Sequence, residues 1–198
     1  MTDSRDSRIY KTVKIGTQTW MAENLNYADS AAMTNLRGNS RCYNNRADNC
    51  AKYGRLYTWT AAMNIASSYL EGLTTAVISA PQQGVCPAGW HIPMNVEWMT
   101  LENAVGGSDT AGIKLKSTSG WNYDGNGTDA YGFSILPAGF RDDGGNFYDV
   151  GNCAYFWTAT EDYTRIAYNL HLNFSDAGIY VRGSDKAGAF SVRCVQDF

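Results

Sequence analysis

Two histidines, five cysteines and one aspartate-rich turn are the parts of this 198-residue chain with the residue types for chemistry. His91 lies in the apolar turn Trp90-His91-Ile92-Pro93, where a hydrogen-bonded structural role is expected. His171 alternates with Asn169 and Asn173 in Tyr168-Asn169-Leu170-His171-Leu172-Asn173-Phe174, a strand pattern. One histidine in each setting makes neither a zinc ligand set nor a Ser-His-Asp array. Cys153 has no base beside it in sequence to make it a nucleophile. Asp124-Gly125-Asn126-Gly127-Thr128-Asp129 offers the oxygen ligands calcium prefers, yet lacks the closing glutamate of an EF-hand loop. A plain turn and no cofactor are expected there, with calcium as the alternative. These residues point to recognition, and no enzyme activity is expected.

The case for recognition rests on the last third of the chain. Strand side chains alternate, so Tyr168, Leu170, Leu172 and Phe174 share one face while Asn169, His171 and Asn173 share the other. Ile179-Tyr180-Val181-Arg182 repeats the pattern, with Ile179 and Val181 inward and Tyr180 and Arg182 outward. A strict inner face under a chemically mixed outer one suits a binding surface on a fixed scaffold. Its expected strand residues are Asn169, His171, Asn173, Tyr180 and Arg182. Asp162, Tyr163, Arg165 and Ile166 form one edge, Ser184 and Asp185 another, and Ser175, Asp176 and Gly178 are further outward positions. Tyrosine and arginine supply most of the energy of such surfaces, because they bury large area with few rotamers.

The elements that must hold this surface are short. A first strand is expected from Tyr10 to Gln18. A first helix is expected from about Tyr57 to Ser68, carrying Trp59, Met63 and Ala66 at helical spacing. A second should begin after Pro93 with Asn95 as its cap, carry Trp98, Leu101 and Val105, and stop at Gly106-Gly107. Beyond it, Ser119-Gly120-Trp121-Asn122 and Asp142-Asp143-Gly144-Gly145-Asn146 are turn chemistry around a buried strand from Phe133 to Phe140. Two helices followed by a twisted antiparallel sheet with long irregular loops make an α+β fold, in one domain spanning residues 1–198.

Bulk properties narrow the class further. The net charge of −3 carries no basic stripe for nucleic acid, and no apolar run reaches the ~20 residues of a membrane helix. The sequence opens directly on its first strand, so a domain cut from a longer protein, or one exported by other means, is expected. Cys42 and Cys50 bracket a polar segment that a local disulfide could clasp, and Cys86 and Cys194, each in an apolar stretch, are the best long-range pair. Cys153 is then left over. Disulfides would place the protein in an oxidising compartment; five free cysteines in a cytosolic protein are the alternative.

Several segments together carry a resemblance. They are Val13 to Tyr27, Tyr53-Gly54-Arg55-Leu56-Tyr57-Thr58-Trp59, Gly84-Val85-Cys86-Pro87-Ala88-Gly89-Trp90-His91-Ile92-Pro93, Gly127 to Ser134 with Leu136-Pro137-Ala138-Gly139, and Phe190-Ser191-Val192-Arg193-Cys194. In this order they resemble the Fibrobacter succinogenes major paralogous domain, found on surface proteins of Bacteroides-like bacteria. The resemblance implies a C-type lectin-like fold, with terminal strands side by side, and supports Cys86–Cys194 as the pair that closes it. The family has no defined activity, so it supplies no catalytic residue. Met94 departs from the serine cap such domains often have, and Cys153 from a small or polar residue. The Glu-Pro-Asn and Gln-Pro-Asp tripeptides of calcium-dependent lectins are absent, so the fold alone does not license sugar binding.

Some proteins of that fold are the variable proteins of diversity-generating retroelements, whose C-terminal codons are rewritten where a template copy has adenine. Randomising both adenines of an asparagine codon cannot yield Lys, Gln, Glu, Met or Trp. All the outward positions named above, from Asp162 to Asp185, are reachable from such a codon. Trp157, Glu161, Lys186 and Gln196 are not, and they fall at framework or flanking positions. The implied protein is a monomeric, extracellular or cell-surface adhesin-type domain with residues 154–195 as its variable region. Its partner would be a protein or glycan ligand, without nucleic acid or membrane insertion. A packing domain of a surface assembly is the alternative, and a lectin-fold enzyme the weaker one.

Overall fold

The computed structural model describes residues 1–74 and 77–197. Its strands are β1 (Thr12–Ile15), β2 (Gln18–Met21), β3 (Ser40–Arg41), β4 (Leu56–Thr58), β5 (Trp90–His91) and β6 (Ala138–Arg141). They continue as β7 (Phe147–Val150), β8 (Cys153–Glu161), β9 (Ile166–Asn173), β10 (Tyr180–Asp185), β11 (Ala189–Phe190) and β12 (Val195–Gln196). The helices are α1 (Ala47–Tyr53), α2 (Trp59–Ala62), α3 (Asn95–Ala104) and α4 (Ser108–Leu115). This is the expected α+β class, with mixed sheets and more helices than the sequence suggests.

The strands form two sheets. The smaller runs β1-β2-β12-β5, so the N-terminal hairpin pairs with the last strand through Val195 and Trp20. The larger runs β10-β9-β8-β6-β11-β4-β3, with β7 added to β6. All its strand pairs are antiparallel except β6 with β8. Gly139 allows the tight β6–β7 crossing: its φ is +64°, and a Cβ there would collide with the Tyr148 carbonyl oxygen.

Four expectations about elements are corrected. The first strand is a hairpin, β1 and β2, turning at Gly16 with φ +60°. The first helix shrinks to Trp59–Ala62, because Tyr57 and Thr58 pair with Phe190 and Ala189 of β11. Asn64, at φ +53°, then takes the chain out of helical geometry. Met94, not Asn95, is the cap position of α3; its N–H donates to Glu97 Oε2 at 2.9 Å, one half of a capping box. Finally, α1 and α4 lie where the sequence reads as loop. Helix α1 buries Cys50 and Tyr53, and α4 buries Ala111 and Leu115, four apart on one face.

Two large apolar clusters hold the sheets. One joins Trp20, Trp98, Phe133 and Phe156 with Leu170, Leu172 and Ile179, so α3 and α4 cover one face of β8 and β9. The other joins Tyr57, Trp59, Trp157 and Phe190 with the Cys86–Cys194 disulfide. Both expected disulfides are present, Cys42–Cys50 and Cys86–Cys194, and Cys153 is free. Among the described residues, no helix is long and apolar enough to cross a membrane.

Candidate functional site

The outward face named from the sequence is built by β8, β9 and β10. Register places Tyr155 beside His171 and His171 beside Tyr180; one step along, Trp157 is beside Asn169 and Asn169 beside Arg182. Directly paired residues of antiparallel strands point to the same side. This face therefore carries Tyr155 and Trp157 on β8, Asn169 and His171 on β9, and Tyr180, Arg182 and Ser184 on β10. The opposite face carries Phe156, Leu170 and Leu172 into the core.

The face is layered from fixed to free. At one end Trp157 is fully buried, stacked on Phe190 at 4.2 Å, with its indole N–H donated to the Tyr57 carbonyl at 2.7 Å. Next to it Tyr155 stacks on Phe190 at 5.1 Å and leans on His171 at 4.7 Å. Phe140 meets both Tyr155 and Phe190 edge-on, and Tyr148 packs against Phe140. At the far edge, Tyr180, Val181, Arg182 and Gly183 of β10 are all exposed. Strand β10 ends its sheet, and among the described residues its outer backbone edge has no strand partner.

Three expected contact residues are corrected to the interior. Asn169 is fully buried, its amide N–H groups donated to the Arg182 carbonyl at 2.8 Å and to Ser184 Oγ at 2.9 Å. It ties β9 to β10 instead of facing solvent. His171 is buried between Tyr155 and Tyr180, and burial, with Arg182 nearby, pushes its imidazole down to about 4. Gly178 is buried against α4: a Cβ on Gly112 would strike its carbonyl oxygen, and a Cβ on Gly178 would meet Ser108 O at 3.0 Å. In the opposite sense, Val181, expected inward, is exposed, because no described element covers β10 there. Period-two alternation fails here because the sheet is covered on both faces at β9 and on neither at β10.

The remaining expected residues lie on the rims. Tyr168 donates its hydroxyl to Asp162 Oδ1 at 2.9 Å, and Arg165 pairs with Asp185 at 3.3 Å and Glu71 at 3.7 Å. Tyr163 is exposed and Ile166 half-buried in the same turn. At the other rim Asn173 Oδ1 accepts from the Ser175 N–H and hydroxyl at 2.9 and 2.8 Å. Asp176 accepts from the Gly178 N–H and from the Tyr180 hydroxyl, which hold its carboxyl below the usual range. Tyr180 is thus aimed by Asp176, and the Arg182 guanidinium lies 5.4 Å from its ring.

Behind the first rim stands a buried clamp. Lys186 is fully buried, and its ammonium donates to the carbonyls of Gly72 and Thr164 at 2.8 Å, to Tyr69 O at 3.3 Å and to Glu161. Glu161 also accepts from the N–H and hydroxyl of Thr74 at 3.0 and 3.1 Å. The clamp fixes the turn between β8 and β9 from its inner side.

A recess of about 250 Å³ opens beside the face, lined by Phe140, Phe190, Asp142, Asp143, Ser184 and Asp185. Of these, only Ser184 and Asp185 are legible from the strand pattern. The two phenylalanines read as core, and Asp142 and Asp143 as an ordinary turn; nothing local signals that β6 and β11 bring them here.

Elsewhere the residues with chemical potential are committed to structure. His91 bonds Asp197 at 2.6 Å through Nδ1 and Glu97 at 2.8 Å through Nε2. Burial alone would lower its pKa, but these two carboxylates outweigh it and hold the imidazole above its ordinary value. Burial raises the Cys153 thiol, the reverse of an activated nucleophile. In the aspartate-rich turn, Asn126 Oδ1 accepts from Trp121 N at 3.0 Å and Asp129 accepts from the Ser134 N–H and hydroxyl. Among the described residues, no three His, Cys, Asp or Glu side chains gather as a metal site.

No curated protein and no solved structure matches the chain. The family described as the Fibrobacter succinogenes major domain matches residues 13–196, from β1 to β12. Nearly the whole chain, including both sheets and the Cys86–Cys194 closure, lies within that match, and the chain belongs to the Fibrobacter succinogenes major domain family.

Proposed function

We propose that this protein is a non-catalytic, extracellular ligand-recognition domain of adhesin type, C-type lectin-like in fold, with a binding surface at the β10 end of its large sheet. The observation that carries this reading is the contrast across three neighbouring strands. Strands β8 and β9 are held by core on one face and by rings and buried hydrogen bonds on the other. Strand β10 exposes four consecutive residues beside them. A rigid floor with an exposed tyrosine and arginine at its edge has the composition of binding hot spots. Two disulfides support an oxidising compartment.

The ligand is a protein or glycan held by Tyr180, Arg182 and Asn173, with Asp162, Tyr163 and Arg165 at one rim and Ser184 and Asp185 beside the recess. Screening the domain on glycan and bacterial surface-protein arrays, then repeating the screen with Tyr180→Ala/Arg182→Ala, tests the site. Binding should disappear while the melting temperature moves by less than about 2 °C, since both side chains are exposed. Loss of fold together with binding would reject the site.

The same surface is proposed to be diversified by a retroelement, at the exposed rim positions and not at Asn169, His171 or Gly178. Sequencing the DNA downstream of the gene tests this. A near-copy of the coding region for residues 154–194, differing mainly at adenines and lying near a reverse transcriptase gene, is the expected result. Its absence would leave one fixed surface.

Packing against a neighbouring domain is the second reading, favoured by exposed Val181 on the unpaired edge of β10. It requires Val181→Lys, and not Arg182→Ala, to disrupt the assembly.

A further inference from the structure

A second cavity, of about 340 Å³, shares no residue with the β10 face or its recess. It lies between the N-terminal segment at Arg8 to Lys11, the end of α1 at Lys52 and Tyr53, and the loops around Ser117 and Ser134. Arg193 is at its base, only 1% exposed. A guanidinium has five N–H groups. Three are taken: Nε donates to Asn24 Oδ1 at 2.9 Å, Nη2 to Ser134 O at 2.9 Å, and Nη1 to Phe133 O. Among the described residues, no carboxylate reaches it as an ion pair. Its guanidinium carbon lies over the rings of Phe133 and Phe156, 4.5 and 5.5 Å from their centroids.

A buried guanidinium whose hydrogen-bond acceptors are all neutral is poorly compensated: burial pushes it down to about 9, against the opposing pull of the Asp129 and Glu23 carboxylates. The cavity walls are themselves electropositive. Arg8, Lys11 and Lys52 line the rim, and none has a carboxylate partner among the described residues. The two acids of the cavity keep their charge but bond to other groups: Glu23 accepts the Lys11 backbone N–H at 2.7 Å, and Asp129 accepts the Ser134 N–H at 2.7 Å and its hydroxyl. Four cationic residues against two acidic ones leave the lining at +2, on a chain whose net charge is −3. The rest of the wall is rich in hydroxyl and amide groups, including Asn26, Ser117 and Ser119.

We propose that this cavity is a binding site for an acidic sugar, with the carboxylate seated toward Arg193 and the hydroxyls bonded to the serine and asparagine wall. Arginine is the side chain whose fork fits a carboxylate, and two of the five Arg193 N–H groups have no acceptor among the described residues. Arg8 and Lys52 supply attraction at the rim, which salt weakens.

The test uses the intact chain with D-glucuronate as probe and D-glucose as its neutral counterpart, at constant ionic strength. Glucuronate at about 20 mM should shift the Arg193 Nε–H resonance and raise the melting temperature by about 1–2 °C, while glucose does neither. Arg8→Ala/Lys52→Ala changes only surface groups, so it should keep the unliganded melting temperature and weaken glucuronate binding about fivefold. Three results would each overturn the proposal: no resonance shift with glucuronate, the same shift with glucose, or unchanged affinity in the double variant.

Discussion

His91 and His171 both belong to strands of the two sheets, yet the protein treats them in opposite ways. His91 has a carboxylate on each ring nitrogen and joins β5 to α3 and to the C-terminal segment. His171 is also buried, but among the described residues its Nδ1 has no hydrogen-bond partner, and neither does Asn169 Oδ1 two residues away. The first region is a structural joint in which both imidazole nitrogens are matched, although Asn95 Oδ1 and Trp98 Nε1 of the same helix α3 have no partner among the described residues. The second lies beneath an exposed edge strand and keeps unmatched polar atoms under a face open to solvent. Buried polar atoms are ordinarily paired, and each region leaves two unmatched, so the difference between them lies in the imidazole itself and in the exposed edge strand that only the second region has.

The sharpest way to break this comparison is at the closing disulfide. Cys194→Ser opens a bond spanning 108 residues and should cost about 4 to 5 kcal/mol in urea unfolding. Cys42→Ser opens a bond spanning only 8 residues and should cost about 2.5 kcal/mol or less. Equal losses would mean that the long-range bond is not what closes the scaffold.

The clamp behind the rim comes next. Lys186→Ala leaves Glu161 largely buried without its cation and should cost about 3 kcal/mol or more. It should also raise hydrogen exchange in the turn at Thr164. The exposed Arg165 pairs nearby are worth about 0.5 kcal/mol, so Arg165→Ala serves as the control. Similar effects of the two substitutions would remove the distinction between fixed and free parts of the face.

The smallest effect is in pH. His91 has a raised folded pKa, so its contribution is complete below the unfolded value of about 6.5 and is lost as pH rises through the folded one. His171 has a folded pKa of about 4, so its contribution is present above about 6.5 and is lost as pH falls toward 4. Stability should therefore decline on both sides of about pH 6.5. In urea titrations across that range, His91→Asn should flatten the alkaline limb and His171→Asn the acid limb. A variant that flattens the opposite limb would reverse the assignment of that histidine.

Local chemistry made parts of this protein legible. Trp98, Leu101 and Val105 at helical spacing mark α3, whose last turn passes into Val105, and all three are buried. Turn-forming residues mark most of the loops, and the apolar settings of Cys86 and Cys194 mark the pair that bonds. The first helix misleads because Trp59, Met63 and Ala66 have helical spacing, while Tyr57 and Thr58 find strand partners in Phe190 and Ala189, and pairing with β11 wins. Helices α1 and α4 go unread because each is short and polar, and is stabilised by one buried face that only its neighbours provide.

The same division runs through the candidate sites. Alternation along β9 and β10 identifies which residues share a side of the sheet, since that is a property of the extended backbone. It says nothing of what lies over each side. Asn169 and His171 became interior because Tyr155, Arg182 and Ser184 arrive from other strands, and Val181 became surface because β10 ends the sheet. Phe140, Phe190 and Arg193 reach their cavities only when strands and loops distant in sequence meet. By itself the sequence determined the family, the α+β class, the disulfide partners and the strand faces, all of which follow from local pattern. Exposure, the two cavities and the unmatched polar atoms were decided by tertiary structure, because each is a relation between segments that no single segment encodes.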